Sequence, residues 1–181
     1  ENSTNYSVLV LPQTQHHITS HHNTDLTATM EPEHRLKTLD EAVARLEALK
    51  GTKLVSELEW SPFKVLSHCA ESIEYSTSEY PEYKPWLYRA TVGKLALVVF
   101  KQRGYLNHSL LESVAGAPEI PDDGDNDEAL DRLLTAIDKF QKYDGDVAEH
   151  FVFGTVTKPE YDYLHAMHIA DHLLKLKSAS T

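Results

Sequence analysis

Residues 157–176 read TKPEYDYLHAMHIADHLLKL, and this stretch combines a strong helix signal with a dense cluster of histidines. Thr157 followed three residues later by Glu160 has the form of a capping box, in which each side chain satisfies an amide that the helix start leaves free. Pro159 falls early in the helix, where its missing N–H costs nothing. The spacing predicts a helix continuing to about Lys177, with Tyr163, Ala166, Met167, Ala170, Leu173 and Leu174 forming an apolar back. At 100° per residue, His165, His168 and His172 then fall within about 60° of one another on the opposite face.

Three readings of that histidine face are open. Solvent-facing stripes normally carry Lys and Glu, so a plain wet surface fits poorly. Buried imidazoles can hydrogen-bond backbone carbonyls or tyrosines and serve only the core. A metal site is the third reading: His168 and His172, four apart, can converge on one ion from successive turns. A third ligand must then come from elsewhere, and His68 in VLSHCAESIEYS is the best candidate. It lies off the apolar stripe of Phe63, Leu66, Ala70 and Ile73, a position expected at the rim of a cleft rather than deep in the core. His165 is a candidate fourth ligand or hydrogen-bonding neighbour. His108 and His150, both expected in loops, are candidate accessory ligands or substrate contacts, or have no role.

The rest of the chain supports an all-α fold of five helices. Thr38 and Glu41 form a second capping box ahead of the stripe Leu39, Val43, Leu46 and Leu49, which Gly51 stops. Ser61 and Pro62 start a second helix, with Trp60 and Val65 placed as a hydrophobic staple, running to just before Pro81. A third starts near Pro85 and holds LALVVF, apolar all round and so expected to be buried, before Gly104 ends it. A fourth begins near DNDE and carries Leu130, Leu133, Leu134, Ile137 and Phe140. Residues 104–127, GYLNHSLLESVAGAPEIPDDGDND, form a loop long enough to suggest a function. Its acidic end fails the calcium-loop template and reads as a solvated turn into a helix start. Residues 1–30 are polar, without a sustained period, and are expected to be a flexible arm ahead of a domain at 31–181. The paired histidines of that arm, His16/His17 and His21/His22, could bind metal adventitiously.

Composition narrows the function. A net charge of −11 argues against nucleic acid and anionic lipid as partners. One cysteine, Cys69, excludes an intramolecular disulfide and any CxxC zinc or redox pair. No apolar run approaches the ~18 residues of a membrane span, and the chain begins at Glu1 with no signal-peptide pattern. The expected compartment is the cytoplasm, or the periplasm if a leader preceded Glu1. No P-loop, dinucleotide fingerprint or nucleophile elbow supports a rival enzyme class.

Three segments, WSPFKVLSHCAESIEYS (60–76), GAPEIP (116–121) and HFVFGTVTKPEYDYLHAMHIADHL (150–173), together resemble the DinB/YfiT-like metalloenzyme superfamily, and within it the uncharacterised-domain family 1569. The likeness runs from about Leu36 to Leu176. It implies a four-helix bundle, with an additional helix and a long loop, holding a divalent ion through a histidine on the second helix and an HxxxH pair on the last. Carried onto this sequence, those ligands are His68, His168 and His172. Fuller members often follow the second histidine of the pair with Arg-Gly-Gln, where this chain has Leu173, Leu174 and Lys175.

Three neutral imidazoles leave a divalent ion its full charge and open positions. Zinc, nickel or iron suits imidazole better than magnesium or calcium. The expected function is a metal-dependent hydrolase or thiol S-transferase acting on a small molecule. The alternative is a non-enzymatic helical module with a structural or sensing metal. Glu71, Glu74 and Asp171 lie near the ligands in sequence and read as surface or supporting carboxylates, with no general base evident. Tyr75, Tyr80, Tyr83, Trp86 and Tyr88 could line a pocket mouth or simply pack. Dimers are frequent in this superfamily, so a homodimer is an assembly open to the chain.

Overall fold

The Thr157 hydroxyl accepts the amide of Glu160, and the Glu160 carboxylate accepts the amide of Thr157 at 3.0 Å, so the last helix starts on a complete capping box. The computed structural model describes residue 31, residues 34–106 and residues 110–179. The arm at 1–30 and His108 lie outside the described residues. In chain order the elements are α1 (Leu39–Glu47), β1 (Leu54–Ser56), α2 (Pro62–Ser76), α3 (Trp86–Tyr88), a π-helical turn (Arg89–Gly93), α4 (Lys94–Arg103), α5 (Asn126–Lys142), α6 (Lys158–Leu173) and β2 (Leu176–Ser178).

The helix starts follow the sequence signals closely. Thr38 accepts the Glu41 amide at α1, Ser61 accepts the Lys64 amide at α2, and Asp125 accepts two amides at α5. The first box is shifted by one residue, since Glu41 takes the amide of Lys37 at 2.7 Å rather than that of Thr38. Gly104 closes α4 with φ +75°, a left-handed conformation in which a Cβ would be strained.

Helix ends depart further from expectation. α2 stops at Ser76, capped by Thr77, well short of Pro81. α6 stops at Leu173 rather than Lys177, and residues 176–178 instead pair antiparallel with residues 54–56, Val55 opposite Lys177. The fold is therefore mostly helical with a small two-stranded sheet, rather than all-α. Strands of three residues are too short to show a period of two in sequence.

α2 lies along α5, α1 packs on α6 and α5, and α2 also meets α6. Leu46, Leu66, Leu133, Ile137, Phe140 and Met167 are fully or almost fully buried where these helices meet. α6 is central: every residue from Leu164 to Ala170 is buried. The expected division into a histidine front and an apolar back thus has both sides covered by protein.

α4 corrects another expectation. Leu97 is buried, but Leu95 is 67% and Val98 50% exposed, so LALVVF is not buried all round. The reason is its place at the outside of the fold, where one face alone meets protein. The π-helical turn leading into α4 approaches residues 152–153 so closely that a Cβ on Gly93 would sit 2.1 Å from the Val152 carbonyl oxygen. With Trp86 and Leu87 also exposed, the α3–α4 segment leaves an apolar outer surface.

Candidate metal centre

His68 from α2 and His168 and His172 from α6 meet in the interior, 4%, 8% and 0% exposed. Their Nε2 atoms converge: His68 to His168 is 3.2 Å and His172 to His168 is 3.1 Å. One nitrogen from each ring lies within 4.8 Å of the other two. The i, i+4 spacing brings the pair together on successive turns of α6, and the α2–α6 packing delivers the third ring. Trp60, just ahead of α2, sets its indole edge against His68 at 5.3 Å between centroids. His68 is accordingly in the interior, not at a rim.

The chemistry of that contact is specific. A neutral imidazole nitrogen has either one N–H or one in-plane lone pair. The Nε2 of His168 faces two other Nε2 atoms, so no single tautomer lets it bond well to both. A cation at the point of convergence is compatible with all three lone pairs at once. The separations of 3.1 and 3.2 Å are short enough for one ion to be shared between His168 and each neighbouring ring at ordinary metal–imidazole distances. The donor set therefore fits a divalent ion.

The centre adjoins a cavity of about 410 Å³ lined by His68, His165 and His168 together with Phe100, Leu106, Val114, Val152, Phe153 and Leu164. Lys84, Tyr88 and Glu112 add polar lining, and His150 and Tyr161 also contribute. This volume is that of a small-molecule site, largely apolar with few polar groups. Much of one wall comes from the long loop, through Leu106, Glu112, Ser113, Val114 and Ala115. Sequence length alone singled out that loop, but nothing in it singled out these residues.

The remaining candidates separate cleanly. His165 is buried and lines the cavity but is outside the converging group. It stacks on Tyr161 at 5.2 Å and sets an edge against Phe140 at 5.3 Å. Burial pushes it down to about 3, so it stays neutral, and its Nε2 has no hydrogen-bond partner among the described residues. His150 is in the cavity wall, where burial, with a smaller contribution from His165, pushes it down to about 3.

Cys69 is adjacent to His68 in sequence, yet it is buried and its thiol is pushed up by desolvation, which argues against a thiolate nucleophile. Glu74 is engaged by the Arg132 guanidinium through two contacts, at 2.7 and 3.1 Å. Glu71 is buried, its carboxyl raised mainly by desolvation and only partly offset by Arg132. Asp171 does not line the cavity. Of the aromatic group, Tyr88 lines the cavity, Tyr80 is buried beside His150 at 5.5 Å, and Trp86 is 72% exposed.

No helix of the described residues is long and apolar enough to cross a membrane. Residues 29–179 match the family described as "Protein of unknown function (DUF1569)", and the chain belongs to that family. No curated protein and no solved structure matches the chain at a significant level.

Proposed function

We propose that this member of the DUF1569 family is a divalent-metal-binding protein of DinB-like architecture, with α1, α2, α5 and α6 as its four-helix bundle. His68, His168 and His172 are its ligands, and the expected reaction is hydrolysis or thiol transfer on a small molecule. The observation that carries this reading is the convergence of three Nε2 atoms, one facing the other two at 3.1 and 3.2 Å, beside a cavity large enough for a ligand. Imidazole donors favour zinc, nickel or iron. When bound, such an ion supplies Lewis acidity toward a water, a thiol or a carbonyl group.

The chain's own residues contribute the surroundings. Phe100, Val114 and Phe153 exclude water from one side of a bound molecule, and neutral His165 adds no competing charge. A purely structural metal is usually closed by four protein ligands, whereas here three imidazoles meet next to open space. That favours a reactive or ligand-binding centre over a staple.

Elemental analysis of the purified chain, with His168→Ala as reference, tests metal binding. Screens of thiol adducts, esters and lactones test turnover. Chelation is expected to abolish any activity found while the helical circular-dichroism signal persists, because the apolar core does not depend on the ion. Loss of the fold on chelation would instead support the structural role.

A further inference from the structure

The turn at residues 150–154 places a further histidine, beside His68, His165 and His168, in the cavity wall with its chemistry fixed in advance. His150 and Gly154 exchange backbone hydrogen bonds at 2.8 and 2.9 Å. Inside that turn the amides of Val152 and Phe153 both donate to His150 Nδ1, at 3.1 and 3.3 Å. A nitrogen whose single lone pair is shared by two N–H donors cannot itself carry a proton, so the neutral ring must carry it on Nε2. Protonating Nδ1 would set a third N–H against those two donors.

The ring is held rigidly. Phe153 stacks on it at 4.3 Å and Phe151 at 4.8 Å, while Tyr80 and Tyr161 lie 5.5 and 5.8 Å away. The turn itself is pinned from outside: Ala148 donates to the Ser76 carbonyl at the end of α2, and Lys84 donates to the Phe151 carbonyl. Among the described residues the His150 side chain makes hydrogen bonds at Nδ1 alone. Burial keeps the ring uncharged near neutral pH.

We propose that His150 is a fixed hydrogen-bond donor, through Nε2–H, to a carbonyl or other uncharged acceptor oxygen of the molecule bound in the cavity. It is a specificity-determining residue, and this assignment rests on reading the cavity as a small-molecule site. The neutral donor and apolar walls select a mostly hydrophobic compound carrying one acceptor oxygen. A site built to donate such a bond discriminates against an analogue lacking the oxygen.

Acetophenone and α-methylstyrene, alike in shape but differing in C=O against C=CH₂, provide the probe pair. Binding would be measured on the full chain by titration calorimetry or ligand-observed NMR, with and without zinc. In the zinc-free protein no ion can favour the ketone. There His150 is expected to make acetophenone bind roughly fivefold more tightly. His150→Asn keeps an oxygen where Nδ1 accepts the two amides but draws the donor back from the cavity, so the preference should fall to near unity. Equal binding of the two probes in the native chain, or an unchanged preference in the variant, would overturn the assignment.

If His150→Asn fails to fold, nitrogen-15 NMR of the native imidazole decides the matter. An Nε2–H tautomer that shifts on adding acetophenone supports the proposal, and an Nδ1–H tautomer or no shift overturns it. Binding of neither probe, with or without zinc, would remove the small-molecule reading and this donor with it. Failure of zinc to bind while the ketone preference persists would instead isolate the fault in the metal centre.

Discussion

Replacing His168 by alanine withdraws the one nitrogen that faces both of the others, and the size of the loss can be worked out. Zinc held by four ligands in small structural sites is worth about 10–16 kcal/mol, or roughly 2.5–4 kcal/mol per ligand, so one lost imidazole should weaken binding about a hundredfold or more. At free zinc one hundred times the native Kd, the native fold gains about 2.7 kcal/mol. For a chain of this length each kcal/mol moves Tm by about 2–4 °C, which gives a rise of roughly 5–11 °C. A hundredfold weaker site at the same zinc gains about 0.4 kcal/mol, or about 1–2 °C. The assay is differential scanning fluorimetry of both proteins with zinc and with chelator. His165→Ala is the control, since His165 is outside the converging group. Any zinc bound by the arm histidines cancels in the comparison. A native Tm indifferent to zinc, or equal zinc-induced rises in native and His168→Ala proteins, would refute the reasoning.

Two further substitutions test the frame around the centre. Glu71 is buried with a raised carboxyl, so its folded-state pKa lies above its unfolded value and stability falls as pH rises through that interval. Glu71→Gln should therefore raise Tm at pH 7 by about 1–3 °C, with the advantage lost in thermal melts as the pH falls through that interval to the ordinary carboxyl value of 4.5. Gly93→Ala places a methyl 2.1 Å from the Val152 carbonyl oxygen and should cost about 1–3 kcal/mol in urea unfolding. An unchanged midpoint would mean that α4 can retreat from the 150–154 turn at little cost.

The parts of this fold that sequence made legible are those governed by neighbours a few residues apart. Thr38, Ser61, Asp125 and Thr157 cap helices because a side-chain oxygen two or three residues from a free amide reaches it whatever the rest of the chain does. The His168–His172 pair is local in the same sense. Helix ends were less legible: α6 yields at Leu173 to a pairing of residues 176–178 with residues 54–56, whose partners are more than a hundred positions apart. α4 misled for a related reason. An all-apolar stretch states what a helix could bury, but burial needs a second layer, and here Leu95 and Val98 face none.

His68 shows how a local rule and a distant contact combine. The residue could be nominated as a ligand from a family likeness, whereas its depth depends on how α2 sits against α6, which no spacing along α2 encodes. The cavity is harder still, because its lining is drawn from α2, the α3–α4 segment, the long loop, the 150–154 turn and α6. His150 is the sharpest case. In sequence it is a loop histidine with no partner at metal-ligand spacing. Its fixed proton follows from two amides only two and three residues away, once the Gly154 bridge has folded the chain back on itself. The information was local, but the turn that makes it readable is held from outside by Ser76 and Lys84. A site of this kind is specified in two steps: short-range chemistry fixes what each imidazole can do, and long-range packing decides which imidazoles face the same space.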